Sequence, residues 1–151
     1  MKRALRFITA VGVFGLASPS LLAHSDEVLD TQKAPNGGQL RMAGAYHFEL
    51  VVAKDSKEAK DNSVLVYVTD HAGARIPTVG AGGTATILAG KQKASVKLVP
   101  DGDNRLKGMA TYSSTPDMKV VVSITLPGKS AEQARFTPLA TGAASHAEHK
   151  H

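Results

Sequence analysis

The sequence predicts an all-β protein: a small antiparallel β-sandwich of immunoglobulin-like type with about seven strands, or alternatively a small β-barrel. Three observations lead there. Short apolar runs alternate with period two, Gly, Pro, Asn and Asp recur between them, and no stretch keeps a helical period. Strands spaced this closely within residues 39–139 suit two packed sheets whose inner faces meet.

The elements follow in chain order. Tyr46–Val52 alternates, with Tyr46, Phe48, Leu50 and Val52 on one face and His47 and Glu49 on the other, outward, solvent-facing side. Val64–Thr69 is β-branched and ends at the turn residues Asp70-His71-Ala72-Gly73. Gly80-Ala81-Gly82-Gly83 reads as a flexible loop before the strand Thr84–Leu88. Ala94–Val99 sets Ala94, Val96 and Leu98 against Ser95 and Lys97, and Pro100–Asn104 turns the chain into Leu106–Tyr112. Lys119–Leu126 aligns Val120, Val122, Ile124 and Leu126. Pro127–Ser130 then leads to a short last strand near Ala134–Thr137. With no Cys and no Trp, the core must rest on aliphatic side chains and on Tyr46, Phe48, Tyr67, Tyr112 and Phe136.

Flanking segments lie outside this body. Lys2, Arg3 and Arg6 precede an apolar run from Phe7 to Ala17, followed by Ser18-Pro19-Ser20 and Leu21-Leu22-Ala23, which is the pattern of a secretory signal peptide over residues 1–23. Cleavage is expected after Ala23, where polar sequence begins, with Ala17 as the other position. No second apolar run has spanning length, so no integral membrane segment is expected after cleavage, and the location predicted is periplasmic. Residues 24–38 read as an extended N-terminal arm. Residues 140–151 read as a disordered tail rich in His.

Charge narrows the function. The 151-residue chain carries a formal net charge of +5 and a pI near 9.6. Removing residues 1–23 takes three cations and no acid, so 18 cations against 13 acids become 15 against 13, and +5 falls to +2. The remaining cations are scattered among acids, as in Lys54–Asp61, and no basic cluster is interleaved with aromatics, so a nucleic-acid partner is not expected. Absent Cys excludes disulfides, thiolate metal sites and cysteine nucleophiles. There is no Gly-x-Ser-x-Gly elbow, no His-Glu-x-x-His and no phosphate-binding loop. Asp101-Gly102-Asp103-Asn104 lacks the spacing of a calcium loop and reads as a hairpin turn. An enzyme is therefore not expected.

The histidines carry the remaining chemistry, since neutral imidazole is the commonest protein ligand for copper and zinc. His146, His149 and His151 sit in the tail, where a flexible chain wraps a metal readily and Glu148 adds an oxygen. His24 becomes the N-terminus if cleavage follows Ala23, which pairs its α-amine with its own ring for chelation. His47 and Glu49 share a strand face, and His71 follows the next strand. Met42, Met109 and Met118 are soft thioether candidates for Cu(I), although isolated Met residues more often fill gaps in packing.

Motifs add a context. The run Ala34-Pro35-Asn36-Gly37-Gly38-Gln39, followed by Ala43-Gly44-Ala45-Tyr46-His47-Phe48-Glu49-Leu50, resembles small exported bacterial proteins with a Pro-His-Gly-Gly-Gln…Ala-Gly-x-Tyr-His-x-Glu-Leu pattern. Val66-Tyr67-Val68-Thr69-Asp70-His71 and Ala134-Arg135-Phe136-Thr137-Pro138 extend the likeness over Ala34–Pro138. A shorter stretch is similar to the start of periplasmic adaptor subunits of heavy-metal efflux pumps. The resemblance implies a periplasmic β-domain that handles a transition metal, copper above zinc, with an efflux system as possible envelope partner. His47, Glu49 and His71 match the pattern. Asn36 departs from it, standing where His is usual, which counts against a ligand in that loop and suits a tight turn. A metal-free protein-interaction module is the other function that these residues allow.

Overall fold

The computed structural model describes residues 25–141. His24, His146, His149 and His151 lie outside the described residues, as does the segment 1–23 expected to be a leader. One short helix, α1 (Asp26–Asp30), precedes eight strands: β1 (Gln39–Ala43), β2 (Tyr46–Val52), β3 (Lys60–Asp70), β4 (Gly82–Ala89), β5 (Gln92–Pro100), β6 (Arg105–Tyr112), β7 (Lys119–Thr125) and β8 (Ala131–Phe136). All pairings are antiparallel, in the order β1-β2-β3-β6-β5-β4-β7-β8. The sheet is nearly closed. It agrees with the all-β expectation and has the shape of a small barrel formed by two facing layers.

Closure is achieved at two places. At one corner β5 crosses β6 with only Val99↔Lys107 and Pro100↔Leu106 in register. Gly108 permits that crossing, because a Cβ there would lie 2.8 Å from the Lys97 carbonyl oxygen. At the other side β1 and β8 meet without a backbone ladder. The Thr137 amide donates to Gln39 Oε1 (2.8 Å), Glu132 lies against Gly44, and the Met42 amide donates to Asp26 Oδ1 (3.4 Å).

Alternation fills the interior as the pattern requires. Phe48, Leu50, Val64, Val66, Val68, Ile87, Leu98, Leu106, Val120, Val122, Ile124 and Phe136 are all buried in one cluster. Tyr112 is buried with them, and its hydroxyl donates to the Ser63 carbonyl (2.7 Å) while accepting from the Ala53 amide (3.0 Å). Burial pushes the Tyr112 phenol above its ordinary value, so the folded form keeps its proton where the unfolded form starts to lose it. Its contribution is complete below pH about 10 and is lost as pH rises further. Tyr112→Phe orphans both backbone partners and is expected to cost about 1–3 kcal/mol in urea unfolding.

Several expectations are corrected. The arm is not simply extended. Ser25 caps α1 by accepting from the Val28 amide, Asp26 and Glu27 sit in its first turn, and Leu29 is buried. Strand β1 has no apolar alternation because Arg41 occupies an inward position, held by Asp30 (2.7 Å) and flanked by Asp26 (3.7 Å). Strand β3 begins earlier than its apolar run. Its polar Asn62 is inward and donates to Ser56 Oγ and to the carbonyls of Lys60 and Tyr112. Gly82 and Gly83 belong to β4 rather than to a loop. Tyr67 is not a core ring: it lies half-buried on the outer face of β3.

Candidate functional site

The outer face of β2 carries the main surprise. His47 and Glu49, expected to face solvent, are 6% and 3% exposed. The chain before β1 crosses over Glu49, and the His71 ring stacks on His47. Ala34–Gly37 forms a turn closed by Gly37 N–H to the Ala34 carbonyl (3.2 Å), with Gly37 at φ 74°. Both oxygens of Glu49 are used to hold it. Oε1 accepts from the amides of Asn36 (2.8 Å) and Gly38 (3.0 Å), and Oε2 accepts from Asn36 Nδ2 (2.9 Å). The Lys54 ammonium adds a bond to the Gly37 carbonyl (2.7 Å). Gly38 packs directly on the Leu50 carbonyl, where no Cβ fits.

Asn36 thus has a different role from the one that a left-handed turn residue would have. Gly37, not Asn36, takes the positive φ, while Asn36 offers Glu49 both a backbone and a side-chain donor. Glu49, a candidate ligand by sequence, serves here as the anchor of the arm.

Sheet register brings the two internal histidines together. His47 pairs with Thr69, and His71 follows two residues on, so both side chains project from the same face as diagonal neighbours. The ring centroids are 4.9 Å apart with an interplanar angle of 26°. His47 Nε2 is shut off from solvent, whereas His71 is exposed and lies across its partner. The turn that presents His71 is stiff. Asp70 Oδ1 accepts from the amides of Ala72 (2.9 Å) and Ala74 (2.8 Å), and Gly73 at φ 83° donates to the Asp70 carbonyl (3.0 Å).

These residues floor a cleft of about 590 Å³ between the arm, the turn after β3 and the β5–β6 turn. Its far wall is Tyr67 and Arg105. The guanidinium stands 5.8 Å over the Tyr67 ring and 2.7 Å from Asp101, with Nε donating to the Asp101 carbonyl. The Tyr67 hydroxyl and Asp101 both raise the pKa of Arg105, a guanidinium that is charged at all ordinary pH. Asp101–Asn104 is the hairpin turn expected from sequence. It is braced by Asn104, whose Nδ2 and backbone oxygen bond to Val68.

Two in-plane nitrogen lone pairs converge on one metal only when the rings are turned toward it. The present stack sets them side by side, so exposed His71 must rotate to share an ion with buried His47 at 2.0–2.1 Å. Among the described residues, no group of three or more His, Asp or Glu is arranged to hold a metal. The thioethers are dispersed. Met118 is buried in the core, Met109 is exposed on β6, and Met42 stands on β1 directly opposite His47. That cross-strand position is the one soft-ligand placement that the sequence alone did not reveal.

No family model and no curated protein matches the chain. Among solved structures it is similar to a conjugative transposon lipoprotein from Bacteroides eggerthii, with 9% identity and a TM-score of 0.33, over 59% of this chain and 92% of that one. Among the described residues, no helix is long and apolar enough to cross a membrane.

Proposed function

We propose that the protein is an exported, periplasmic transition-metal-binding protein of heavy-metal homeostasis, a carrier rather than a catalyst, with copper its favoured ion and zinc second. The observation that carries this reading is the stacked pair of His47 and His71, 4.9 Å apart in a cleft although distant in sequence. A binding role is supported by the fixity of the surroundings. Glu49, Asp70 and Asn104 are spent on holding backbone. Copper is favoured by Met42, a soft-ligand residue that stands opposite His47 in the β1–β2 register. The leader supports export, and an efflux component of the envelope is the partner that the resemblance suggests. The tail histidines and His24 are accessory ligands in this reading.

The test is titration of the processed chain with Cu(II), Cu(I) and Zn(II). Binding tighter than about 10 μM (about −7 kcal/mol) is expected. His71→Ala, a change at an exposed side chain, should weaken it at least about tenfold, and Met42→Leu should weaken Cu(I) but not Zn(II). Removing residues 142–151 should leave the cleft site intact. Absence of binding, or its loss only with the tail, overturns the assignment. A specific observation favours the rival reading of a metal-free interaction module: a 590 Å³ cleft far exceeds one ion. That reading gains if the cleft variants leave metal affinity unchanged.

A further inference from the structure

The lysines that look scattered in sequence are gathered by register onto one outer surface. Outward positions on β5 are Lys93, Ser95, Lys97 and Val99. Across from them on β4 stand Leu88, Thr86 and Thr84, and beyond these on β7 stand Lys119, Val121 and Ser123. Arg135 joins from β8 opposite Val121, and Lys107 joins from β6 opposite Val99. Lys93, Lys97, Lys107, Lys119 and Arg135 are all exposed.

The strands that build this surface carry almost no acid. The sole carboxylate on strands β4 to β8 is Glu132, which pairs with inward Ile124 and lies beside Gly44 at the seam. At the rims, Asp117 just ahead of β7 attracts Lys119, and Asp61 on β3 accepts from the Thr111 hydroxyl on β6. Among the described residues, the ion pairs are those of Arg41 and Arg105, and none involves the five cations. Large apolar side chains stand between the charges. Leu88 is 45% exposed and flanked across both strands by Lys93 and Lys119, and Val99 and Met109 are similarly uncovered.

We propose that the outer face of β4, β5 and β7, bordered by Lys107 and Arg135, docks the protein on an anionic phospholipid surface. Charge complementarity chooses the sign of the partner. Long Lys stems with charged heads, set among Leu88, Val99 and Met109, suit a headgroup layer that takes ammonium groups at phosphate level and apolar tips just beneath. No aromatic ring stands among these cations to stack on bases, which disfavours a nucleic acid. The cleft opens elsewhere, between the arm and the turns after β3 and β5, so a docked molecule keeps it accessible.

Vesicle co-sedimentation of the processed chain tests this. Vesicles with about 30% phosphatidylglycerol should bind it, phosphatidylcholine vesicles should not, and binding should fall when salt rises from about 0.05 M to about 0.5 M. Each surface cation contributes roughly fivefold, so Lys93→Glu/Lys97→Glu/Lys119→Glu should weaken binding by well over tenfold. The reversal Lys57→Glu/Lys60→Glu, on exposed positions elsewhere, should have a much smaller effect. The neutral triple Lys→Gln, checked by circular dichroism, serves if the reversal perturbs folding. Binding that ignores lipid charge, or survives both triple variants, overturns the proposal. Equal affinity for polyglutamate or single-stranded DNA at the same salt also overturns it, in favour of a general polyanion face.

Discussion

Phe48→Ala is expected to destabilise the protein by about 3–5 kcal/mol, the range for emptying a fully buried ring. Phe48 is 1% exposed and sits near the middle of β2, between Arg41 on β1 and Val68 on β3. The cost is high for a structural reason. Strand β2 is covered on both sides, by the core within and by the chain before β1 without, so its backbone has little freedom to collapse into the void. Without a disulfide or Trp, no other device compensates. Urea unfolding followed by circular dichroism should show a large fall in midpoint with little change in slope. An unchanged midpoint would refute the inward placement of this ring.

Glu49→Ala is expected to act differently, loosening the arm before the barrel. It removes the acceptor of three hydrogen bonds, each to a charged carboxylate, and should cost about 2–4 kcal/mol in total. The barrel core contains none of these bonds, so much of the loss should appear locally. Trypsin should cut faster after exposed Lys33, and the Asn36 and Gly38 amides should exchange faster, while the core amides change less. Glu49→Gln should lie between, because its amide nitrogen meets donors where the second oxygen met Asn36. Equal protection in wild type and Glu49→Ala would mean that the carboxylate does not secure the arm. The same variant connects stability to the site, since the arm and Glu49 form one wall of the cleft above His47.

Much of the fold was legible because period-two alternation is dictated by burial on one face. Leu106–Tyr112 and Lys119–Thr125 read cleanly for that reason. Strand β1 did not, because Arg41 sits inward and its charge is answered by Asp30 on another element. The start of β3 was hidden likewise by Asn62, whose three partners come from remote and nearby chain. At the candidate site, sequence named His47, Glu49 and His71 but not their relations. Outward alternation implies solvent only if nothing crosses the face, and an arm anchored through hydrogen bonds leaves no periodic signal. The His47–His71 contact and the Met42–His47 pairing both depend on strand register, which turns and tertiary packing set jointly.

The meeting of β1 and β8 has a consequence for solubility. An open sheet of eight strands would end in two rows of bare amides and carbonyls, each a template for pairing with another chain. Here the two ends shield one another. Gln39 answers the Thr137 amide, Asp26 answers the Met42 amide, and β1 is only five residues long. Side chains, not a ladder, close the ring, so the molecule gains the colloidal safety of a barrel without needing a strict shear between its first and last strands. A chain that folds among many copies of itself is thereby spared the edge-to-edge association that an unguarded sheet would invite.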